Sequence, residues 1–179
     1  DFSVQEVFRN ATPNDMKLVN SFKTLKKLKF IEFPKLGFKI LKEIVSRVLS
    51  SNGCILLIDY GYENSRNQNT LQSVIKHKKN NLFDNLGKAD ITSQVNFSLL
   101  SEFFKKNNLK VKKTITQNEF LNNMGIFQRA EIISKNMKFT EKSDLYLRLK
   151  RLLSHQYMGE LFKVILAYKS QINSYNGFK

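Results

Sequence analysis

Cysteine and histidine, the residue types that most often build reactive or metal-binding sites, are scarce in this 179-residue chain. The single cysteine, Cys54, excludes internal disulfides, and its place in an apolar run predicts a small core residue rather than a reactive thiol. The two histidines, His77 and His155, are far apart, and neither has another histidine or a cysteine at ligand spacing. We therefore predict no metal site.

Glycine is also sparse, and its seven copies are isolated from one another. No glycine-rich phosphate loop and no serine-centred nucleophile elbow occurs, so hydrolase and nucleotidase functions have no support. No apolar run is long enough to span a bilayer, and the first residues lack the regions of a signal peptide. Because the chain begins at Asp1 rather than methionine, we expect it to be part of a longer protein.

Acidic residues are few relative to basic ones, 15 against 30, which gives a formal net charge of +15. Lysines gather near residues 23–29, 76–79 and 110–113, but the clusters are scattered and mixed with apolar residues. Lysine greatly outnumbers arginine, whereas readers of bases and phosphates favour arginine. We interpret the lysines as a solvated surface and do not expect a nucleic-acid groove.

The stretch GCILLIDYGY at residues 53–62 is the strongest structural signal in the chain. Its unbroken apolar run predicts a strand at residues 54–59 that is buried on both faces. Apolar residues at helical spacing before it predict a helix at residues 35–50, with Pro34 in the first turn and Gly53 as a left-handed stop. Asp59, Tyr60 and Gly61 then lie where the strand ends, the position at which ligands gather in α/β sheets.

The rest of the chain is consistent with one partial α/β domain. Residues 1–31 form an edge segment without a clear assignment, and residues 32–168 form the domain proper. Asn96 caps a helix, Thr140 caps a longer one, and residues 169–179 are expected to form a loose tail. Two further strands are predicted at residues 109–116 and 161–168.

Several polar residues fall at predicted sheet-edge positions. Taken singly, each is better explained as a loop or helix cap than as a functional group. Asp59 and Glu119, however, each follow a strand of the same predicted sheet and are expected to converge. The full set is Asp59, Tyr60, Asp90, Thr92, Thr116, Gln117 and Glu119.

Five sequence blocks resemble, in order and spacing, the MidA family of S-adenosylmethionine-dependent methyltransferases. The resemblance covers roughly residues 32–168, whereas the first thirty residues match poorly. The blocks are GCILLIDYGY at 53–62, TLQSV at 70–74 with His77, GKADIT at 87–92 with VNF at 95–97, TQNEFL at 116–121 with GI at 125–126 and RA at 129–130, and MGELFKV at 158–164.

The resemblance implies a class I, Rossmann-like methyltransferase sheet whose residues 109–116 and 161–168 form an antiparallel closing pair. It also implies S-adenosylmethionine as cofactor, methylation of a protein arginine and a link to respiratory complex I assembly. Asp59 and Glu119 are then the candidate catalytic residues, and the substrate-binding candidates are Tyr60, Gly61, His77, Asp90, Thr116 and Gln117.

The glycine-rich cofactor loop of the family is missing from this sequence. The chain therefore resembles the C-terminal half of such an enzyme, with no cofactor-binding residues of its own and no activity alone. Its expected partners are the N-terminal half and a protein substrate such as a complex I subunit, in a bacterial cytoplasm or the mitochondrial matrix. Two alternatives stay open, namely a non-enzymatic basic binding module for protein or nucleic acid, and a fragment without autonomous stability.

Overall fold

The computed structural model describes residues 4–64, 66–170 and 175–178, which form a mixed α/β architecture. We number helices and strands separately in chain order. The elements are α1 Pro13–Asn20, a 3-10 turn Lys23–Leu25, α2 Lys35–Ser50, β1 Cys54–Tyr62, β2 Gln72–Ile75, β3 Lys78–Asn80, β4 Asp90–Thr92, β5 Val95–Asn96, α3 Phe97–Lys106, β6 Lys110–Val111, β7 Ile115–Thr116, α4 Gln117–Asn123, α5 Ile126–Ser134, α6 Phe139–Leu153, α7 Met158–Leu161 and β8 Phe162–Tyr168.

The chain divides into two compact units. The first comprises residues 1–33 and 65–94, and the second comprises residues 34–64 and 95–179. The single partial domain expected from the sequence stays a prediction.

The first unit contains a three-stranded antiparallel sheet in the order β3-β2-β4. Its helix α1 begins after Thr12, whose hydroxyl accepts a hydrogen bond from the Asp15 amide at 3.2 Å. Pro13 occupies the first helical turn, where its missing N–H removes no intrahelical bond. Phe22 and Leu25 are buried in this unit, and the rings of Phe22 and Phe33 lie 5.6 Å apart.

The second unit contains a mixed sheet in the order β5-β1-β8-β6, with β7 also paired to β8. β8 runs antiparallel to β1 on one side and to β6 and β7 on the other, as expected for the closing pair. The strand predicted at residues 109–116 is two short pieces, β6 and β7, rather than one. Both pieces pair with β8, so the pairing partner was predicted correctly.

The central buried strand of this sheet is β8, not β1. Val164, Ile165, Leu166 and Ala167 are each at most 5% exposed. In β1, by contrast, Cys54 is exposed, and Leu56 and Ile58 keep about 45% of their surface accessible, at 46% and 45%. The prediction that β1 is buried on both faces is therefore wrong, and so is the prediction that Cys54 is a core residue.

Helix α2 has the predicted bounds. Its C-terminal stop differs in detail, because Asn52 and not Gly53 adopts the left-handed conformation, with φ of 54°. The Gly53 amide donates to the Val48 carbonyl at 2.9 Å, which closes the last turn of the helix. Helix α6 begins at Phe139 with Lys138 as its N-cap, so the predicted cap at Thr140 is wrong, and the Glu141 carboxylate accepts from the Lys138 amide at 2.8 Å.

Part of the tail expected to be loose makes specific contacts. The ring of Phe178 lies 5.6 Å from that of Phe120, and the Asn123 side chain donates to the Gly177 carbonyl at 2.9 Å. The ring of Tyr175 lies 4.8 Å from that of Tyr168. Residues 171–174 and 179 lie outside the described residues.

No helix within the described ranges has both the length and the apolar character that a membrane span requires.

Candidate functional site at the edge of the mixed sheet

Three polar residues form one row across the mixed sheet. Lys163 of β8 is the register partner of Asp59 on β1 and of Thr116 on β7. Register partners project to the same face, and neighbouring strands lie about 4.8 Å apart, so Asp59 and Thr116 are separated by about 10 Å. β1 extends to Tyr62 and does not end at residue 59 as predicted, so Asp59 lies three residues before its end, whereas Thr116 is the last residue of β7. The convergence of Asp59 and Glu119 stays a prediction.

Lys163 is the residue of this row that sequence reasoning missed. Its Nζ donates to the Glu160 carbonyl at 2.6 Å and lies 3.8 Å from the Glu160 carboxylate. The turn that presents Glu160 depends on Gly159, because a Cβ there would lie 2.0 Å from the Leu153 carbonyl oxygen. The signal that could have found Lys163 is a lone cation at the start of an otherwise apolar strand.

Asp59 is exposed at the end of the register with β8, and one of its carboxylate oxygens accepts from the Tyr60 amide at 2.8 Å. The Tyr60 ring packs edge-on against Phe162, with the ring centroids 5.7 Å apart. This contact holds Tyr60 beside the start of β8. The carboxylate of Asp59 is thus placed on a rigid strand, where it can accept further hydrogen bonds from a cationic ligand.

The start of α4 holds the three other candidates of this edge. Thr116 caps the helix, since its hydroxyl accepts from the Glu119 amide at 3.1 Å. Gln117 is 7% exposed, and its side-chain amide donates to the Leu152 carbonyl at 2.8 Å. Asn118 does the same to Leu153 at 2.6 Å. Gln117 therefore ties α4 to the end of α6, while the exposed Glu119 carboxylate faces solvent in the first turn.

Gly61 has a steric role in this structure. A Cβ at this position would lie 2.1 Å from the Val95 carbonyl oxygen and 2.9 Å from the Phe97 ring. The glycine therefore permits the close approach of β5, which pairs in parallel with β1 at Gly61 and Tyr62. This packing accounts for the glycine without any contact to a substrate.

His77 and Asp90 belong to the other compact unit. His77 follows Lys76 in the two-residue turn between β2 and β3, and both residues have positive φ, 63° and 48°. That pair of conformations is typical of a tight hairpin turn. Asp90 is exposed on β4 opposite Val74, and Thr92 of the same strand pairs with Gln72.

The residues that the structure describes do not form a cradle for S-adenosylmethionine. The space beside Gly61 is occupied by β5, and the space beside Gly159 is occupied by the end of α6. Gly37 lies within helix α2. Along the described residues, no glycine cluster joins a strand to a helix, the arrangement that binds a nucleotide at a helix N-terminus. The same residues contain no group of three or more histidine, cysteine or acidic side chains that could hold a metal ion.

A family model described as "Putative S-adenosyl-L-methionine-dependent methyltransferase" matches residues 3–115. The match covers more than half of the chain, and the chain belongs to this family. The match starts at residue 3, so the family extends over residues 3–30, where the sequence blocks showed only a poor resemblance. The predicted family is confirmed, and S-adenosylmethionine is the cofactor of that family.

Two mitochondrial proteins are similar to this chain over part of their length. The chain is 30% identical over 124 residues to the mitochondrial protein arginine methyltransferase NDUFAF7 homolog of Caenorhabditis elegans. It is 28% identical over 124 residues to the mitochondrial protein arginine methyltransferase NDUFAF7 of Homo sapiens. Each alignment covers 69% of this chain but only 29% and 28% of the two relatives, so the chain spans less than a third of their length.

Two crystal structures from Burkholderia thailandensis share the fold. One, bound to S-adenosyl-homocysteine, aligns with a TM-score of 0.75 and 21% identity over 97% of this chain and 45% of its own. The other, an uncharacterized superfamily protein, aligns with a TM-score of 0.72 and 22% identity over 92% of this chain and 45% of its own. The predicted methyltransferase-type α/β fold is thereby confirmed.

Proposed function

We propose that this chain is the C-terminal part of an S-adenosylmethionine-dependent methyltransferase that modifies an arginine of a protein. In this proposal it supplies the substrate side of the active site, while a preceding half supplies the cofactor loop. The names of the mitochondrial relatives, which are protein arginine methyltransferases, support this reaction class. The MidA resemblance extends the proposal to a complex I subunit as substrate and to the mitochondrial matrix as compartment.

The observation that carries this proposal is the open edge of β1. On one side, β8 pairs with β1 from Cys54 to Tyr60. On the other side, the only strand among the described residues is β5, and it pairs only at Gly61 and Tyr62. The backbone groups of residues 54–60 are therefore available on that edge to a further strand.

Exposed apolar residues lie on the same strand and on the helix before it. Leu56 and Ile58 are 46% and 45% exposed, although their register partners on β8 are buried. Helix α2 carries a stripe of three residues four apart, Leu36, Ile40 and Ile44, which are 70%, 53% and 45% exposed. Large apolar residues clustered on one strand and one helix face are typical of a surface that another part of a protein covers.

The polar row at the sheet edge suits a guanidinium substrate. Asp59 and Glu119 place two carboxylates near the carboxyl ends of β1 and β7, and a guanidinium group binds carboxylates through paired hydrogen bonds. Lys163 is engaged by the carbonyl and the carboxylate of Glu160, which reduces its competition for Asp59. We propose that Asp59 and Glu119 orient the substrate arginine, with Tyr60 shaping the mouth of the site.

Calorimetry with two polypeptides tests the proposal. Residues 1–179 alone should bind S-adenosylmethionine poorly or not at all. A longer polypeptide that also contains the part encoded upstream of Asp1 should bind the cofactor and methylate arginine in a protein substrate. Tight cofactor binding by residues 1–179, or methylation only of residues other than arginine by the longer polypeptide, would contradict the proposal.

The role of the carboxylates has its own test in the active longer polypeptide. Asp59→Asn should lower kcat/KM for the protein substrate at least about tenfold, the loss expected for one charge-assisted hydrogen bond. Asp144→Asn, an exposed change on α6, is the matched control and should leave kcat/KM unaltered. Equal activity of the two variants would remove Asp59 from the site.

A further inference from the structure

A polar cleft of about 440 Å³ lies within the first compact unit. Its lining is unusual because side-chain amides dominate it and no acidic residue contributes. The residues that matter for its chemistry are Gln68, Asn69, Gln72, Asn80, Gln94 and the single cation Lys79. None of these residues belongs to the sheet-edge row described above.

One wall of the cleft is held by a carboxylate and a hydroxyl. Glu32 accepts two hydrogen bonds from Thr70, from the amide at 2.9 Å and from the hydroxyl at 2.7 Å. The Thr70 hydroxyl also accepts a hydrogen bond from the backbone amide of Gln94 at 3.0 Å. The backbone on either side of the cleft is thus fixed before any ligand binds, which lowers the entropic cost of binding.

The opposite wall is held by Asn80. Its side-chain nitrogen donates to the Ser73 hydroxyl at 3.1 Å and to the Asp84 carbonyl at 2.8 Å. Its side-chain oxygen accepts from the Asn85 side chain at 3.0 Å. Ser73 is 2% exposed, so this network is anchored in the interior of the unit.

The remaining glutamines are available to a ligand. Among the described residues, Gln68, Gln72 and Gln94 make no hydrogen bond through their side-chain amides, and Gln94 bonds Thr70 only through its backbone amide. Each such amide offers an N–H donor and a carbonyl acceptor, the same pair that a peptide unit presents. Without a carboxylate in the lining, the cleft does not suit a guanidinium, and one lysine is too little for a phosphate backbone.

We infer that this cleft binds the extended main chain of a peptide that carries an acidic residue beside Lys79. The inference rests on the proposed function, because it makes the peptide a segment of the same protein substrate that carries the modified arginine. Side-chain amides would pair with the peptide units, and Lys79 would pair with the acidic side chain. The cleft would thus recognise a segment of the substrate other than the arginine itself.

A nuclear magnetic resonance titration of the isotope-labelled 179-residue chain tests the inference. The probe is the capped peptide acetyl-Gly-Ser-Asp-Gly-Ser-amide, added up to about 5 mM because short peptides bind in the millimolar range. We expect the side-chain amide signals of Gln72 and Gln94 to shift saturably. The double variant Gln72→Ala/Gln94→Ala should weaken binding at least about tenfold, the effect of losing two neutral hydrogen bonds. Gln156→Ala, an exposed glutamine outside the cleft, is the control and should bind as the parent does.

Two altered probes test separately the pairing with the peptide units and the pairing of Lys79 with the acidic side chain. Replacing the central amide by an ester removes one donor and should weaken binding several-fold, and replacing the probe aspartate by asparagine should do the same through Lys79. Absence of any saturable shift, or equal binding of the ester probe, would overturn the inference. Because the probe contains no arginine and needs no cofactor, peptide binding together with failed arginine methylation would reject the proposed function alone.

Discussion

At the residue scale, two substrate-binding candidates at the sheet edge, Gly61 and Gln117, make structural contacts. Gly61 belongs to a block that resembles a methyltransferase family, which made it a substrate-binding candidate. Its surroundings assign it a packing role, since β5 approaches too closely for any side chain. Gln117 also has a structural role, because its side-chain amide donates a hydrogen bond to the Leu152 carbonyl. Asp59 and Glu119 are exposed carboxylates at this edge, as is Glu160, and the catalytic role of Asp59 and Glu119 stays a prediction.

Gly61→Ala should destabilise the chain by about 3 kcal/mol, since the new methyl group overlaps backbone and ring atoms that cannot move freely. The matched control is Gly37→Ala. The nearest atom to a Cβ at Gly37 is that of Pro34 at 3.6 Å, and alanine favours helices by about 0.5–1 kcal/mol over glycine. Urea denaturation should therefore show opposite shifts of the midpoint for the two variants. A small loss for Gly61→Ala would mean that β5 can separate from β1.

At the scale of elements, α2 combines two apolar faces. One face is buried within the second unit. Val45 on this face is 2% exposed, and the ring of Phe38 stacks on that of Phe103 with the centroids 4.2 Å apart. The other face, with Leu36, Ile40 and Ile44, is exposed. Helical periodicity predicts that such residues lie on a helix, but it assigns no partner to a second stripe. The same holds for the alternating faces of β1.

Neighbouring residues of α2 should respond differently to truncation. Val45→Ala should cost about 2 kcal/mol of unfolding free energy, because it leaves a cavity in the core. Ile44→Ala should change the stability of residues 1–179 by less than about 0.5 kcal/mol, since the side chain is already partly hydrated. In the longer polypeptide, Ile44→Ala should become clearly destabilising. Equal costs in both polypeptides would argue that nothing covers the stripe.

At the scale of the whole molecule, the mixed sheet of the second unit has one edge, along residues 54–60 of β1, with which no strand of the described residues pairs. Cys54 lies on the same face of β1 as Leu56 and Ile58, and it is the only cysteine in the sequence. The reactivity of its thiol therefore measures how accessible that face is. Among the described residues, Cys54 is a free thiol, and it is exposed.

Alkylation of Cys54 should be fast in residues 1–179 and at least about tenfold slower in the longer polypeptide, where the preceding half would cover this face of β1. Mass spectrometry after timed treatment with iodoacetamide measures the rate. Treatment of both polypeptides in denaturant is the control and should give equal rates. A fast reaction in the natively folded longer polypeptide would contradict the proposed covering of β1.

The net charge of +15 yields a prediction for the binding-module alternative. Oligonucleotide binding, followed by fluorescence anisotropy, should be weak and should vanish by about 0.2 M salt, because scattered lysines give only counterion-driven attraction. Replacing Lys76, Lys78 and Lys79 by glutamine should weaken it no more than replacing Lys110, Lys112 and Lys113. A selective loss with the first triple variant would support a dedicated nucleic-acid surface near the β2–β3 turn.

The amino-acid sequence by itself determined the elements and the family. Periodicity and capping residues were enough for the bounds of α2 and for the strands at β1 and β8, because local backbone preferences and apolar spacing act over a few residues. Five short blocks were enough for the methyltransferase family.

Only the tertiary structure decided which strand is central and which polar residues share an edge. The apolar runs of β1 and β8 look alike in sequence, but β8 has strand neighbours on both sides, whereas most of β1 has one. Lys163 becomes part of the row with Asp59 and Thr116 through register alone. Burial and register depend on contacts between residues distant in sequence, which no local pattern encodes.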